Sequence, residues 1–191
     1  MKQPGSDHPN WKFPTVIFTL LLALISLQGF PESEKAKLPS AVDTYLDKYL
    51  YLARTVHVES GIPLPIILAV AGLESDWGRS ELARFANNHF GIKATDWQAD
   101  TYCKTTLEYD AYAVVSSIEA CFRRYPLIKD SYQDFAAFLK GRPYYRGLFD
   151  YGTLDYRSWA VGLQEAHYGT DPEYASKLLR IIHDYRLDAV Q

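Results

Sequence analysis

The chain is poor in the residues from which most binding motifs are built. Its 191 residues include two cysteines, one methionine and five histidines. Cys103 and Cys121 have no histidine near them, so no zinc-ligand set is present. No metal and no organic cofactor is expected. The 11 glycines are scattered, and none forms G-x-G-x-x-G or a P-loop, which removes the commonest nucleotide cradles. There is no basic patch and no run of like charges, and the net charge is -3. Nucleic acid is therefore not an expected partner. There is no internal repeat and no low-complexity tract. No apolar run approaches the roughly 20 residues that a membrane-spanning helix needs.

The longest such run, Val16 to Leu27, has 12 residues and follows Lys2 and Lys12. It suits the apolar region of an export signal. No A-x-A precedes Phe30. Cleavage near Gly29 and retention as a membrane anchor both stand open. No cysteine follows the run, which argues against a lipid anchor. The expected organisation is an export signal or N-terminal membrane anchor over residues 1–29, a linker over 30–39 and one folded domain over 40–191. The chain is expected in the cell envelope or periplasm, secreted or held at the inner membrane. An oxidising compartment favours pairing of Cys103 with Cys121 across a strand pair. Two separate buried thiols are the alternative.

What remains is abundant in apolar and aromatic side chains. Hydrophobic residues make up 48 % of the chain and aromatics 15 %, with 15 Tyr, 9 Phe and 4 Trp. That is enough for a sizeable core and excludes disorder. Apolar residues at helical spacing predict a helix from a Ser40 cap to about Ser60, stopped by Gly61. A second helix starts around Pro65 and ends near Glu74. Ser80 caps a short third. Residues 91–124 lose the helical period and carry Thr, Tyr and Val, which favour two or three short strands, with a turn at Asp110-Ala111. Further helices are expected from Asp130-Ser131 to Gly141, after an Asp155 cap, and after a Thr170 cap with Pro172 in the first turn. The fold class is α+β, mainly helical, with a small β-lobe and a cleft between the two parts.

Glu74 closes the apolar run I-I-L-A-V-A-G-L-E-S-D-W-G. A carboxyl at the end of an oily helix is partly desolvated, which favours its protonated form. Such a group can donate a proton to a leaving group near neutral pH. Most glutamates near helix ends are simply solvated, so the case depends on the segments downstream of Glu74. N-N-H-F-G-I-K, Asn87 to Lys93, forms a loop with a permissive Gly91. T-T-L-E-Y, Thr105 to Tyr109, would place Glu108 and Asp110 on one strand face. H-Y-G-T-D-P-E-Y-A, His167 to Ala175, sets Tyr168 between two helices.

Taken in order, these segments resemble the peptidoglycan-hydrolysing glucosaminidases, glycoside hydrolase family 73 of the lysozyme-like superfamily. The matching pieces are A-x-x-G-L-E-S-D-W-G-R-S-E-L-A, N-x-F-G-I-K, T-x-E-Y, C-F-R-R-Y, D-F-x-x-F-L and W-A-x-G-L-Q-E-A-x-Y-G-T-D-P-x-Y-A, over residues 62 to 187. The resemblance implies a lysozyme-like two-lobed domain. It implies that residues 40–191 cleave the β-1,4 bond between N-acetylglucosamine and N-acetylmuramic acid. Glu74 then falls on the catalytic acid, Glu108 on the second carboxylate and Tyr168 on a cleft tyrosine. Asn88 and Phe90 fall on the loop shaping the cleft floor. Trp77, Phe90, Trp97 and Tyr109 are candidate sugar platforms. Asp76 stands where the family often has Gly, and A-H-Y-G-T-D-P replaces A-G-Y-A-T-D-P, placing His167 beside Tyr168. The residues after Tyr109 also differ, which leaves Asp110 and Glu119 open as second carboxylates. The partner is peptidoglycan glycan, and the protein is expected to be a monomer. A lytic transglycosylase and a non-catalytic wall-binding module of the same fold are the alternatives.

Overall fold

The computed structural model describes residues 38–190 apart from 111 and 113. The expected signal or anchor and most of the expected linker lie outside the described residues. Among those described, no helix is long and apolar enough to cross a membrane.

The chain folds as helix α1 (Ser40–Ser60), α2 (Leu64–Ser75), α3 (Glu81–Ala86), strands β1 (Thr101–Tyr109) and β2 (Val115–Arg123), α4 (Ile128–Gly141), a 3-10 segment (Pro143–Asp150), α5 (Tyr156–Glu165) and α6 (Tyr174–Asp184), with a short 3-10 turn (Leu187–Ala189) after it. This is the expected helical domain with a small sheet beside it. Helix α2 carries no polar stripe because it is surrounded: α1, α5 and α6 all pack on it, and Ile66, Ile67, Leu68, Ala69, Val70 and Ala71 are each 0 % exposed. A helix that is apolar all round belongs in a core. Each large side chain so buried stabilises the fold by about 1.5–3 kcal/mol.

The end of α2 explains the sequence E-S-D-W-G. Asp76, Trp77 and Gly78 follow one another in the left-handed region, at φ 49, 53 and 76°. Ser75 holds this turn together. Its hydroxyl donates to the Ala71 carbonyl and accepts from the Gly78 N–H. Reversal of the chain brings the Trp77 ring back over Gly72, where a Cβ would lie 2.7 Å from it. Gly72 is thus needed for space, and Trp77 packs edge-on against Tyr45 and Tyr185 in the core.

The β-lobe, expected as two or three short strands, is a single antiparallel hairpin. Its register runs from Thr101↔Arg123 to Tyr109↔Val115. The Asp110 carboxylate accepts from the backbone N–H groups of Tyr112 and Val114 and so organises the connection. Cys103 and Cys121 stand opposite each other and are joined as a disulfide.

Some boundaries differ from expectation. Pro39, not Ser40, precedes α1. Helix α4 starts at Ile128, with the Asp130 carboxylate accepting from the Leu127 N–H. The 3-10 segment at Pro143 is not foreshadowed by the sequence pattern, because eight residues of tight turn carry no helical period. Thr170 does not cap α6, which begins four residues later with Glu173 as its N-cap. The Thr170 hydroxyl is used across the cleft instead.

Candidate active site

A cleft of about 590 Å³ runs between the hairpin and the helical body. Glu74, Phe90, Glu108, Tyr109, His167 and Tyr168 line it, from separate stretches of chain.

Glu74 lies at its floor, in the last turn of α2. Burial raises its pKa from 4.5 to about 7; a hydrogen bond from Tyr174 opposes that rise and the nearby Glu108 charge adds to it. The Tyr174 hydroxyl donates to Glu74 Oε1 at 2.9 Å. Gly91 closes the other side. It takes φ +64°, and a Cβ there would sit 2.9 Å from Glu74 Oε2. Any side chain at 91 would both strain the backbone and displace the carboxyl. Gly169 leaves room for Tyr174, whose ring lies 2.6 Å from where a Cβ would be. These two glycines are therefore there to seat the acid and its donor.

Asn88 is fully buried and does not reach the cleft. Its amide donates to the carbonyls of Ile92 and Arg123, and its Oδ1 accepts from the N–H groups of Phe90 and Ile92. It builds the loop and ties it to β2. Phe90 stacks on Phe135 at 4.3 Å, and its carbonyl accepts from the Tyr168 hydroxyl at 2.8 Å. Burial, followed by the neighbouring Glu74, holds the Tyr168 and Tyr174 hydroxyls well above their usual pKa. Both remain proton donors. Beneath the loop, His89 is buried, with its Nδ1 2.7 Å from the Tyr45 hydroxyl. Burial lowers its pKa to about 4, so it is neutral.

Glu108 faces this floor from β1. Its Oε1 is 2.8 Å from Lys93 Nζ, and its Oε2 accepts from the Thr170 hydroxyl at 3.1 Å. Thr170 also accepts from the Tyr109 N–H, so one threonine fastens the hairpin to the α5–α6 connection. Tyr109 is half-buried at the rim. His167 is exposed beside it, at φ 54°.

The other candidates lie elsewhere. Asp110 is occupied in the hairpin connection. Glu119 is exposed on β2, opposite Thr105. Trp77 is half-buried and packs against the core. Trp97 packs outside the cleft, its indole N–H bonded to the Asp100 carbonyl and its ring beneath the Arg123 guanidinium at 4.6 Å. Sequence reasoning missed Tyr174, which reads as one more apolar position of α6, Lys93 and Thr170, whose partners are remote in sequence, and Arg142, which reads as an ordinary charge at a helix end. Only the short spacing D-P-E-Y, which sets a tyrosine at the start of a helix, could have marked Tyr174. Among the described residues, no group of three or more His, Cys, Asp or Glu side chains could hold a metal ion.

The family model for glucosaminidase, described as mannosyl-glycoprotein endo-beta-N-acetylglucosaminidase, matches residues 51–187. The chain is 34 % identical over 161 residues to the peptidoglycan hydrolase FlgJ of Salmonella typhimurium, covering 82 % of this chain and 50 % of that one. It is 38 % identical over 128 residues to the exo-glucosaminidase LytG of Bacillus subtilis, covering 64 % and 44 % respectively. The chain thus spans about half the length of these curated relatives. Among solved structures, the catalytic domain of the autolysin Auto from Listeria monocytogenes superposes with a TM-score of 0.65 at 33 % identity, covering 80 % of this chain and 89 % of that one.

Proposed function

The chain belongs to the glucosaminidase family, glycoside hydrolase family 73, and from that premise we propose that it hydrolyses the β-1,4 bond between N-acetylglucosamine and N-acetylmuramic acid in peptidoglycan, with Glu74 as general acid. The observation that carries this is the seat of Glu74: a desolvated carboxyl, with a pKa near 7, at the floor of an open cleft with a second carboxylate facing it. Peptidoglycan is favoured over a glycoprotein glycan by the likeness to FlgJ, itself a peptidoglycan hydrolase. A wall substrate also agrees with the export expected of residues 1–29.

Cleavage requires a proton at the glycosidic oxygen and an answer to positive charge at the anomeric carbon. Glu74 delivers the proton. Glu108, held by Lys93 and Thr170, supplies negative charge across the cleft. If it activates water, the configuration inverts. If the substrate's 2-acetamido oxygen attacks instead, the configuration is retained and Tyr168 borders the reacting sugar.

The test is digestion of purified peptidoglycan, with products read by mass spectrometry and their anomeric form by NMR. New reducing ends on N-acetylglucosamine are expected, along with loss of at least about 100-fold in kcat for Glu74→Gln. Anhydromuramic ends would assign a transglycosylase. Full activity in Glu74→Gln would remove Glu74 from the mechanism. Cleavage of a mannosyl glycoprotein and not of the wall would move the substrate.

A further inference from the structure

Three cationic side chains line the cleft: Lys93, Arg142 and Lys177. Two are already neutralised within the protein. Lys93 is ion-paired with Glu108, and Lys177 with Asp171. Arg142 has no carboxylate partner among the described residues. Its guanidinium lies instead over the Phe138 ring, 3.8 Å from the centroid. Phe138 in turn packs edge-on against Tyr168, at 6.1 Å between ring centres. Arg142 is thus one aromatic ring away from the tyrosine beside the catalytic floor. It is half-buried, at the junction between α4 and the 3-10 segment, beside the exposed Tyr144. Stacking on Phe138 fixes the plane of the guanidinium while its N–H groups at the edge stay available.

That arrangement has a chemical meaning. An arginine fork held flat on a ring matches a carboxylate in a bidentate manner. A polymer of N-acetylglucosamine alone carries no charge. Muramic acid differs by a lactyl arm at O3. That arm ends in a carboxylate, or in an amide leading to a peptide that bears carboxylates of its own. We propose that Arg142 is a specificity-determining residue that binds a carboxylate of this muramyl arm, so that the cleft selects muramyl-containing strands over uncharged amino-sugar polymers. The inference rests on the wall substrate assigned above.

Bulk charge cannot imitate this effect. The chain carries a net charge of -3, and the wall polymer is anionic. Neutralising the wall would strengthen binding if only overall repulsion acted. Weaker binding to a neutralised wall therefore reports a local cation.

The experiment measures binding by co-sedimentation, using the full chain as Glu74→Gln so that nothing is cut. The probes are intact peptidoglycan, strands stripped of peptide by an amidase, and each of these after its carboxyls are capped with ethanolamine by carbodiimide coupling. Glu74→Gln should bind the charged wall about 10-fold more tightly than the capped wall. Adding Arg142→Gln should abolish that difference. A contrast with stripped strands identifies the lactyl carboxylate, and a contrast with peptide-bearing strands alone identifies the stem peptide. Arg142→Lys keeps the charge but loses the fork. It should show an intermediate contrast, and it carries the test if Arg142→Gln does not melt like its parent. The inference is overturned if Arg142→Gln keeps the full contrast, or if the parent shows none. Turnover by the wild-type chain is scored separately. Carboxyl-dependent binding without cleavage would overturn the hydrolase reading and leave Arg142 standing; cleavage without carboxyl-dependent binding would do the reverse.

Discussion

Glu74 and Tyr174 form the pair on which the proposed chemistry turns, and their coupling has a sign that experiment can read. The unfolded chain holds the Glu74 proton only up to about pH 4.5, whereas the folded protein holds it to about pH 7. Between those values the folded state binds more protons, so this group makes stability fall as pH rises. The loss amounts to about 3 kcal/mol once both forms are ionised. Glu74→Gln, which is never charged, should melt with the wild type well below pH 4.5 and above it at pH 8. Differential scanning calorimetry across pH checks this, and equal melting at both ends would mean that the carboxyl is not desolvated. With Glu74 as the proposed general acid, kcat/KM should fall as pH rises through about 7. Tyr174 donates to the carboxylate and holds the pKa down. Tyr174→Phe should therefore move that alkaline limb upward by about one unit. A limb that stays in place would show that the tyrosine only packs.

At the scale of elements, the hairpin is the part least able to stand alone. An isolated two-stranded ribbon is marginal in water, and most of this one is exposed. It is fastened at its open end by the Cys103–Cys121 bond and by the bridge from Lys93 to Phe122. Near its turn, Glu108 and Tyr109 reach Lys93 and Thr170. The disulfide spans 18 residues, for which chain entropy gives about 3 kcal/mol. Reduction, or Cys103→Ser with Cys121→Ser, should lower the melting temperature. It should also raise KM a few-fold, because β1 carries Glu108 into the cleft. Thermal melts and kinetics with and without dithiothreitol measure both; unchanged values would mean that the remaining ties suffice. Local pattern revealed this element well, since residues 91–124 carry Thr, Tyr and Val without a helical period. It did not reveal Thr170, where proline and threonine before a helix look like a cap. Capping is a local rule, and here the hydroxyl is claimed by a carboxylate 62 residues away. Trp77 went the same way. A tryptophan close to the proposed acid suggests a sugar platform, but two left-handed residues turn its ring inward onto Gly72.

For the whole molecule, the question is how a thin hairpin is aligned with a helical body. The fold class, the helices around α2 and Glu74 itself were legible because each depends on local periodicity or on desolvation at a helix end. The alignment was not, since it rests on contacts between remote positions. Its centre is Arg123 at the foot of β2. The guanidinium bonds both oxygens of Asp134 on α4 at 2.7 and 2.9 Å. It also lies between the rings of Trp97 and Phe138. Tyr125 donates to the same carboxylate at 2.6 Å. The Arg123 side chain is 8 % exposed and that of Asp134 19 %, so the two partners are not equivalent. Asp134→Ala leaves a buried cation and a tyrosine hydroxyl without their acceptor. It should cost about 3–5 kcal/mol. Arg123→Met removes the deeper charge and leaves a carboxylate that can still reach water and Tyr125, so it should cost clearly less. The double variant Arg123→Met with Asp134→Leu should recover much of the Asp134→Ala loss, because an apolar pair of similar volume bears no desolvation penalty. Urea unfolding of these three variants beside the wild type ranks the losses. If Asp134→Ala were no worse than Arg123→Met, the ion pair would not be what sets the hairpin on the body, and the two aromatic faces around Arg123 would carry that role.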